Sequence, residues 1–139
     1  MSKILNVFVY GTLKEGRPLD RKIFADTRLS VIPATIGGTL YNLGRYPAVK
    51  LTGKGLVQGE IHKFHKDDIR KVIEIMDMIE GYSQKREEKN NLYNRRVVTA
   101  KTKDGEKTDV YVYEYSQEPK ASTKIDDGLW EPSMVKTNI

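Results

Sequence analysis

The sequence has no cysteine and only two histidines, His62 and His65, among its 139 residues. Without cysteine there is no disulfide, no thiolate nucleophile and no thiolate metal site. Two histidines are too few for a multi-histidine metal site, and no group of carboxylates suggests bound magnesium. We therefore expect a protein that uses neither a metal ion nor another cofactor.

Long apolar runs are also missing. No stretch approaches the roughly 20 apolar residues that a membrane-spanning helix requires. The first seven residues, MSKILNV, leave no room for the charged, hydrophobic and cleavage regions of a signal peptide. We therefore expect a cytoplasmic protein with no membrane partner.

The charged residues do not form a block of one sign. The formal net charge is +5, but the lysines and arginines alternate with acidic residues, as in the segment KREEK at 85–89. A concentrated basic surface would indicate nucleic-acid binding, whereas interleaved charges indicate a solvated mixed surface. Nucleic acid is therefore not an expected partner.

The hydrophobic pattern predicts one domain of the α+β class with a mixed or barrel-like sheet. Strands are predicted at 4–9, 31–43 (two runs around Gly37), 55–64, 93–102 and 108–115. A strong helix is predicted at 67–80, because apolar residues recur there at three- and four-residue spacing before Gly81. A short helix is predicted at 19–26. Asp104-Gly105 predicts a hairpin, which favours antiparallel pairing over a doubly wound sheet.

Two carboxylates attract interest as acid–base groups. Glu80 ends the predicted helix and follows Asp77 by three residues, so the two carboxylates lie on neighbouring positions of one face. Partial burial, repulsion between the two charges and the helix dipole would each raise the pKa of such a group. Glu60, which shares a strand face with His62, is a weaker candidate. Both histidines are flanked by lysines and are predicted to be exposed.

The segment VFVYGTL at 7–13 predicts a strand that runs into a tight turn. Backbone N–H groups in such a turn can bind an anion or an oxyanion. The spacing of Gly11 and Gly16 matches a P-loop, but Arg17-Pro18 replaces the Lys-Ser/Thr pair, which excludes a nucleoside triphosphatase. Thr12 would be a nucleophile only with a base beside it.

Six blocks then occur in an order that resembles the γ-glutamylcyclotransferase-like family, the AIG2-like proteins. They are VYGTL (9–13), GTLYNLGRYPA (38–48), VQGE (57–60), MDMIEGY (76–82), YNR (93–95) and VYVY (110–113). They cover about residues 5–115, and residues 117–139 lie outside the resemblance as a tail, which places the domain at 1–116. The helix-end motif usually begins with Leu, where this chain has Met76.

The resemblance implies a small mixed-sheet β-barrel with one main helix and a short helix. It also implies release of 5-oxoproline from γ-glutamyl compounds, with Glu80 as the acid–base residue. The turn of Tyr10, Gly11, Thr12 and Leu13 would hold the γ-glutamyl group, and the substrate-binding residues would include Tyr46 and Tyr113. No metal or cofactor is implied.

We therefore expect a γ-glutamyl cyclotransferase acting on a small γ-glutamyl amine or amide. The alternative is a non-catalytic module of the same fold that binds a small ligand. A role in nucleic-acid or protein interaction through the basic surface ranks third. A strand-rich fold with an extended tail is also compatible with a homodimer.

Overall fold

The computed structural model describes residues 4–11, 14 and 24–131. Within these residues there are seven strands, one α-helix and two short 3₁₀ turns at 88–90 and 121–123. The strands are β1 (Asn6–Val9), β2 (Arg28–Gly37), β3 (Thr39–Asn42), β4 (Pro47–Lys50), β5 (Leu56–Phe64), β6 (Tyr93–Thr102) and β7 (Lys107–Tyr115), and the helix α1 is Ile69–Glu80.

Five of the strands close into a barrel in the order β1-β5-β2-β6-β7. Their pairings are antiparallel except where β7 meets β1, which runs parallel with Val7 opposite Tyr111. Strands β3 and β4 form a separate two-stranded antiparallel sheet. The predicted mixed-sheet barrel with one main helix is therefore confirmed.

Two apolar clusters divide the core. The inner cluster holds Phe8, Tyr10, Ala34, Ile36, Leu40, Val49, Val57, Ile61, Ala100, Val110, Val112 and Trp130. The outer cluster joins α1 to the outside of the barrel and holds Val7, Val9, Phe24, Phe64, Ile69, Val72, Met76, Tyr93 and Tyr113. Strand β1 alternates between the two from Val7 to Val9, so both faces of this part are buried, which accounts for its three consecutive apolar residues.

The register of β1 against β5 explains one wrong prediction. His62 lies opposite Val7, and opposed residues in an antiparallel pair point to the same side of the sheet. The His62 side chain therefore shares the face of Val7, which the outer cluster covers, and it is completely buried. The lysines near His62 in the sequence led to the prediction of an exposed side chain, because they do not show that the outer cluster packs on this face of β5. His65, by contrast, is exposed as predicted.

The helix agrees with its prediction to within two residues. It begins at Ile69 rather than at residue 67, and buries Ile69, Val72 and Met76. It ends at Glu80 and is capped by Gly81, which adopts a left-handed conformation with φ 66°. The N–H of Tyr82 then donates to the carbonyl of Asp77 at 2.9 Å, the closing bond expected of a glycine-terminated helix.

The predicted β-hairpin is also confirmed. Strands β6 and β7 pair in register around Gly105, whose φ is 87°. The two strand-like runs around Gly37 correspond to β2 and β3. The predicted short helix at 19–26 lies mostly outside the described residues, and residues 24–27 form a turn.

Part of the segment 117–131 packs on the strands. The carbonyl of Gly128 accepts the N–H of Gln58 at 2.8 Å, and the N–H of Ile125 donates to Leu40 at 2.8 Å. Trp130 is buried within the inner cluster. This part of the predicted tail therefore contributes to the same core as the strands.

Candidate active site

A cavity of about 170 Å³ opens where the last turn of α1 faces the barrel. Its walls come from the end of β1, the loop before β4, the last turn of α1 and the segments around β6 and β7, and they are formed by Phe8, Val9, Tyr10, Gly11, Tyr46, Pro47, Met76, Ile79, Glu80, Leu92, Tyr93 and Tyr113. The volume is below the roughly 300–1,000 Å³ of pockets for drug-sized ligands. The cavity therefore suits a small ligand.

Among the described residues that line this cavity, Glu80 is the acidic one. Burial raises the pKa of its carboxyl from 4.5 to about 7, because a charged carboxylate loses its hydration when it is removed from water. None of the described residues donates a hydrogen bond to it. The raised pKa agrees with the sequence analysis, but burial alone causes it, and repulsion from Asp77 does not contribute.

Three buried tyrosines surround Glu80, and each directs its hydroxyl elsewhere. Tyr10 donates to the carbonyl of Tyr113 at 2.7 Å, and Tyr93 to the carbonyl of Pro47 at 2.7 Å. Tyr113 donates to Oδ1 of Asp77 at 2.7 Å. Burial first, and then neighbouring charges that include Glu80, raise the pKa of all three phenols well above the ordinary value. They are therefore neutral hydroxyls at physiological pH.

Asp77 does not accompany Glu80 into the cavity. Its Oδ2 accepts a charged hydrogen bond from Nη1 of Arg95 at 2.6 Å, while Oδ1 accepts the Tyr113 hydroxyl. The guanidinium of Arg95 lies 5.2 Å from the ring centre of Tyr82 and 5.4 Å from that of Tyr111. One turn of helix thus carries two carboxylates, of which Asp77 is paired and Glu80 has no hydrogen-bond donor in the part of the chain that the structure describes.

Two turns build the opposite wall. Gly11 follows β1 and packs so closely on Pro47 that an added Cβ would lie 2.6 Å from its Cγ. In the loop before β4, the N–H of Gly44 donates to Oδ1 of Asn42 at 2.9 Å, and the N–H of Leu43 donates to the carbonyl of Tyr46 at 3.0 Å. These local bonds hold Tyr46, which is 41% exposed, at the rim of the cavity.

The structure thus brings five of the seven predicted site residues to one cavity, namely Tyr10, Gly11, Tyr46, Glu80 and Tyr113. The other two, Thr12 and Leu13, lie outside the described residues. The predicted roles of all seven stay predictions, because position alone does not assign a role.

The sequence analysis gave no role to several other lining residues. Tyr93 begins the YNR block and faces Glu80, and Pro47 follows Tyr46 in another block. Their presence in those blocks was the signal that could have found them. Leu92 and Ile79 are partly exposed apolar residues at the rim, and nothing local in the sequence distinguishes them from surface residues.

Glu60 lies elsewhere. Its Oε1 is 3.0 Å from Nε2 of buried His62, and it lines a different depression together with Lys14, Lys101 and Lys103. The weaker acid–base candidate of the sequence analysis is therefore separate from the Glu80 cavity. Within the described part of the chain there is no group of three potential metal-ligating side chains, and no helix there is long and apolar enough to cross a membrane.

Comparison with known proteins agrees with this architecture. The model of a family described as "Gamma-glutamyl cyclotransferase, AIG2-like" matches residues 7–132, which extends beyond the last sequence block. A search of curated proteins finds no match.

Several solved structures are similar. An AIG2-like protein of Mus musculus superposes with a TM-score of 0.65 at 17% identity, with 99% of this chain and 97% of that chain covered. A protein of Arabidopsis thaliana gives 0.62 at 28% identity, over 85% and 72% of the two chains. A protein named gamma-glutamyl cyclotransferase gives 0.57 at 14% identity, over 80% and 66%. At such low identities the mouse protein and the last of these show the shared fold alone.

Proposed function

The chain belongs to the γ-glutamyl cyclotransferase, AIG2-like family, and from that premise we propose that it cyclises a γ-glutamyl amine or amide to 5-oxoproline and releases the amine. The observation that carries the proposal is the Glu80 carboxyl. It lines a small cavity, has no hydrogen-bond donor among the described residues, and has its pKa raised to about 7 by burial. A group with this pKa can both accept and return a proton near neutral pH.

The reaction needs no nucleophile from the protein. The α-amine of the substrate attacks its own γ-carbonyl carbon, a C–N bond closes the five-membered ring, and the C–N bond to the leaving amine breaks. Well-oriented intramolecular attack reaches effective molarities of roughly 10⁵ M or more. A site without cysteine or a catalytic triad is therefore sufficient.

The protons balance through one carboxyl. The substrate α-amine is an ammonium at neutral pH and attacks only after it loses a proton. Glu80 in its ionised form accepts that proton and donates it to the leaving nitrogen as the C–N bond breaks. The ring nitrogen then still carries one proton too many, and the same carboxylate accepts it and passes it to the departing amine, which leaves as an ammonium ion. The α-ammonium has then lost two protons and the leaving nitrogen has gained two. Because the pKa of Glu80 is about 7, the ionised and protonated forms are both well populated at neutral pH, as the two half-reactions require.

The turn after β1 is the element proposed to stabilise the negative charge that develops during the reaction. When the amine attacks, the γ-carbonyl oxygen becomes an oxyanion, which backbone N–H groups can stabilise by roughly 3–4 kcal/mol for one donor. The turn that begins at Gly11 would supply such donors, or would bind the substrate α-carboxylate. The neutral hydroxyls of Tyr10, Tyr93 and Tyr113 shape the cavity and leave Glu80 as its titrating group near pH 7.

The test is a 5-oxoproline release assay on γ-glutamyl dipeptides, glutathione, γ-glutamyl-ε-lysine and γ-glutamyl alkylamines. We expect product from at least one of them, and a loss of kcat of about 10²- to 10⁴-fold in Glu80→Gln. Glu74→Gln is the matched control, since Glu74 lies on the same helix, is exposed and pairs with Arg70. It should retain wild-type turnover.

The outcomes separate the two functions that the sequence left open. Product over many turnovers, lost only in Glu80→Gln, excludes a simple binding module. Full turnover in Glu80→Gln would overturn the role of Glu80. Thermal stabilisation by a γ-glutamyl compound without any product would instead support the binding module.

A further inference from the structure

The cavity presents four tyrosines to Glu80, from every neighbouring element that the structure describes. They are Tyr10 after β1, Tyr46 before β4, Tyr93 on β6 and Tyr113 on β7. A phenol that donated to the Glu80 carboxylate would stabilise its charged form. None of these does so, because the hydroxyl of Tyr46 makes no hydrogen bond with the described residues and the other three hydroxyls donate elsewhere.

The three acceptors differ in kind. Tyr10 and Tyr93 donate to backbone carbonyls, those of Tyr113 and Pro47. Tyr113 donates to a side chain, the carboxylate of Asp77, which lies on α1 one turn before Glu80. Asp77 is therefore the one acceptor of the three that a side-chain substitution can remove.

Asp77 is itself firmly held. Its second oxygen accepts a bond from Arg95 on β6, and the Arg95 guanidinium lies between the rings of Tyr82 and Tyr111. A charge-assisted pair that is mostly shielded from water is stronger than an exposed one. The Asp77 carboxylate thus connects α1 to both β6 and β7. The bond from Arg95 to Oδ2 holds the carboxylate in place, so that Oδ1 stays within hydrogen-bonding distance of the Tyr113 hydroxyl.

We propose that Asp77 is a positioning residue of this site: by accepting the proton of the Tyr113 hydroxyl, it keeps that hydroxyl from donating to Glu80. The O–H bond of a phenol prefers the plane of the ring and has two orientations there. When the acceptor of one orientation is removed, the hydroxyl adopts the other orientation and donates to an acceptor on that side. Without Asp77, Tyr113 donates into the cavity towards Glu80. For its catalytic consequence the inference rests on the proposed function, but its test does not.

The direct test is the titration of Glu80 followed by NMR on protein labelled with ¹³C at the glutamate carboxyl. The Glu80 signal is assigned as the one missing from Glu80→Gln. The wild-type midpoint is expected near pH 7. Asp77→Ala should lower the midpoint by roughly one pH unit, because a freed hydroxyl then stabilises the carboxylate.

Two further variants separate the hydroxyl from the charge of Asp77. Asp77→Asn removes the charge but keeps an oxygen that accepts from Tyr113, so its midpoint should stay near that of the wild type. Asp77→Ala combined with Tyr113→Phe has no hydroxyl to release, so its midpoint should return to the wild-type value. If Asp77→Ala fails to fold, Asp77→Ser replaces it, since the serine hydroxyl is too short to reach the phenol.

The inference is overturned if Asp77→Ala leaves the Glu80 midpoint unchanged. It is also overturned if Asp77→Asn shifts the midpoint as far as Asp77→Ala does, because charge would then be the cause. A shift that persists in the double variant would exclude Tyr113 as its source.

Activity provides a separate readout. The acid limb of the pH profile of kcat for 5-oxoproline release should move with the NMR midpoint in each variant. Absence of product from every substrate would contradict the proposed function and leave the NMR result standing. Turnover with an unchanged titration in Asp77→Ala would contradict the positioning role and leave the proposed function standing.

Discussion

The inner and outer clusters of this small protein share strands β1, β5, β6 and β7 but differ in their surroundings. The inner cluster, which includes Phe8, Val57 and Trp130, is almost entirely aliphatic and aromatic. The outer cluster is joined by buried His62 and by Asp77, and the Glu80 cavity lies where this cluster meets Phe8 and Tyr10 of the inner one. Strand β1 contributes to both, with Phe8 on one side and Val7 and Val9 on the other.

The difference indicates a division of labour between the two layers. Closing the barrel satisfies its backbone hydrogen bonds and encloses an interior of mainly aliphatic and aromatic side chains. The layer between α1 and the barrel is open at the last turn of the helix, where a cavity forms and the Glu80 carboxyl is desolvated without a hydrogen-bond donor among residues 4–11, 14 and 24–131. Stability should therefore depend most on the inner cluster, and acid–base chemistry on the cavity where the two clusters meet.

The largest expected effect comes from Trp130 in the inner cluster. Trp130→Ala should lower the free energy of unfolding by about 3–5 kcal/mol, because it removes a buried aromatic ring from a packed core. Urea denaturation measures the change. Met78→Ala, at an 82% exposed position, is the control and should be near neutral. A small effect at Trp130 would show that residues beyond 116 are a tail in the predicted sense.

The second effect concerns Glu80 and depends on pH. Its folded-state pKa is raised from 4.5 to about 7, so folding is favoured while the carboxyl is protonated. That contribution is complete below pH 4.5 and is lost as the pH rises through 7. Glu80→Gln cannot ionise. The variant should therefore gain stability relative to the wild type between pH 5 and 8, by at most about 3 kcal/mol.

Urea denaturation of both proteins at several pH values measures that difference. Using the difference removes the contributions of other groups that titrate equally in the two proteins. A constant difference between pH 5 and 8 would show that the Glu80 carboxyl is hydrated, and the contrast between the two layers would lose its main electrostatic support.

A third substitution tests how tightly the inner cluster is packed. An added Cβ at Gly59 would lie 2.4 Å from the carbonyl oxygen of Val9 and 2.6 Å from the ring of Phe8. Gly59→Ala should therefore cost roughly 1–3 kcal/mol by overpacking. Gly37→Ala is the matched control, since Gly37 also lies in a barrel strand and has no atom within 4 Å of the added Cβ. Equal melting temperatures for the two variants would show that the added methyl group at Gly59 does not collide with Val9 and Phe8.

The smallest effect on stability is expected from the hydrogen bond that joins Tyr93 on β6 to Pro47 on β4. Tyr93→Phe removes the hydroxyl that donates to the carbonyl of Pro47 and should cost about 1 kcal/mol or slightly more, because the buried carbonyl loses its donor. Tyr46→Phe, at a partly exposed tyrosine of the same cavity, should leave the melting temperature unchanged. A lower melting temperature for Tyr46→Phe than for Tyr93→Phe would show that the Pro47 carbonyl finds another donor.

Much of the fold was predictable because its signals are local. The alternation in β5, the apolar spacing of α1, the stop at Gly81 and the turn at Gly105 each depend on residues a few positions apart, and the structure confirms them. The burial of His62 was not predictable, because it depends on a cluster that covers one half of a strand face. The alternation of apolar and polar residues along a strand does not show how far such a cluster extends over its face.

The candidate site divides in the same way. That Glu80 ends a helix before a glycine, and that a glycine turn follows β1, can be read directly from the sequence. That Asp77 turns away from Glu80 cannot, since its partners Arg95 and Tyr113 are 18 and 36 residues further along the chain. The spacing of the two carboxylates predicted mutual repulsion, and the fold gave one of them an arginine instead.

The sequence by itself therefore determined the strands, the helix and its end, and the order of motifs that indicates the family, because backbone preferences and hydrophobic periods act over a few residues. Only the tertiary structure decided which carboxylate is paired, which hydroxyls are already engaged, and which histidine is buried. Those outcomes depend on the distances between side chains from separate elements, and closure of the barrel sets those distances.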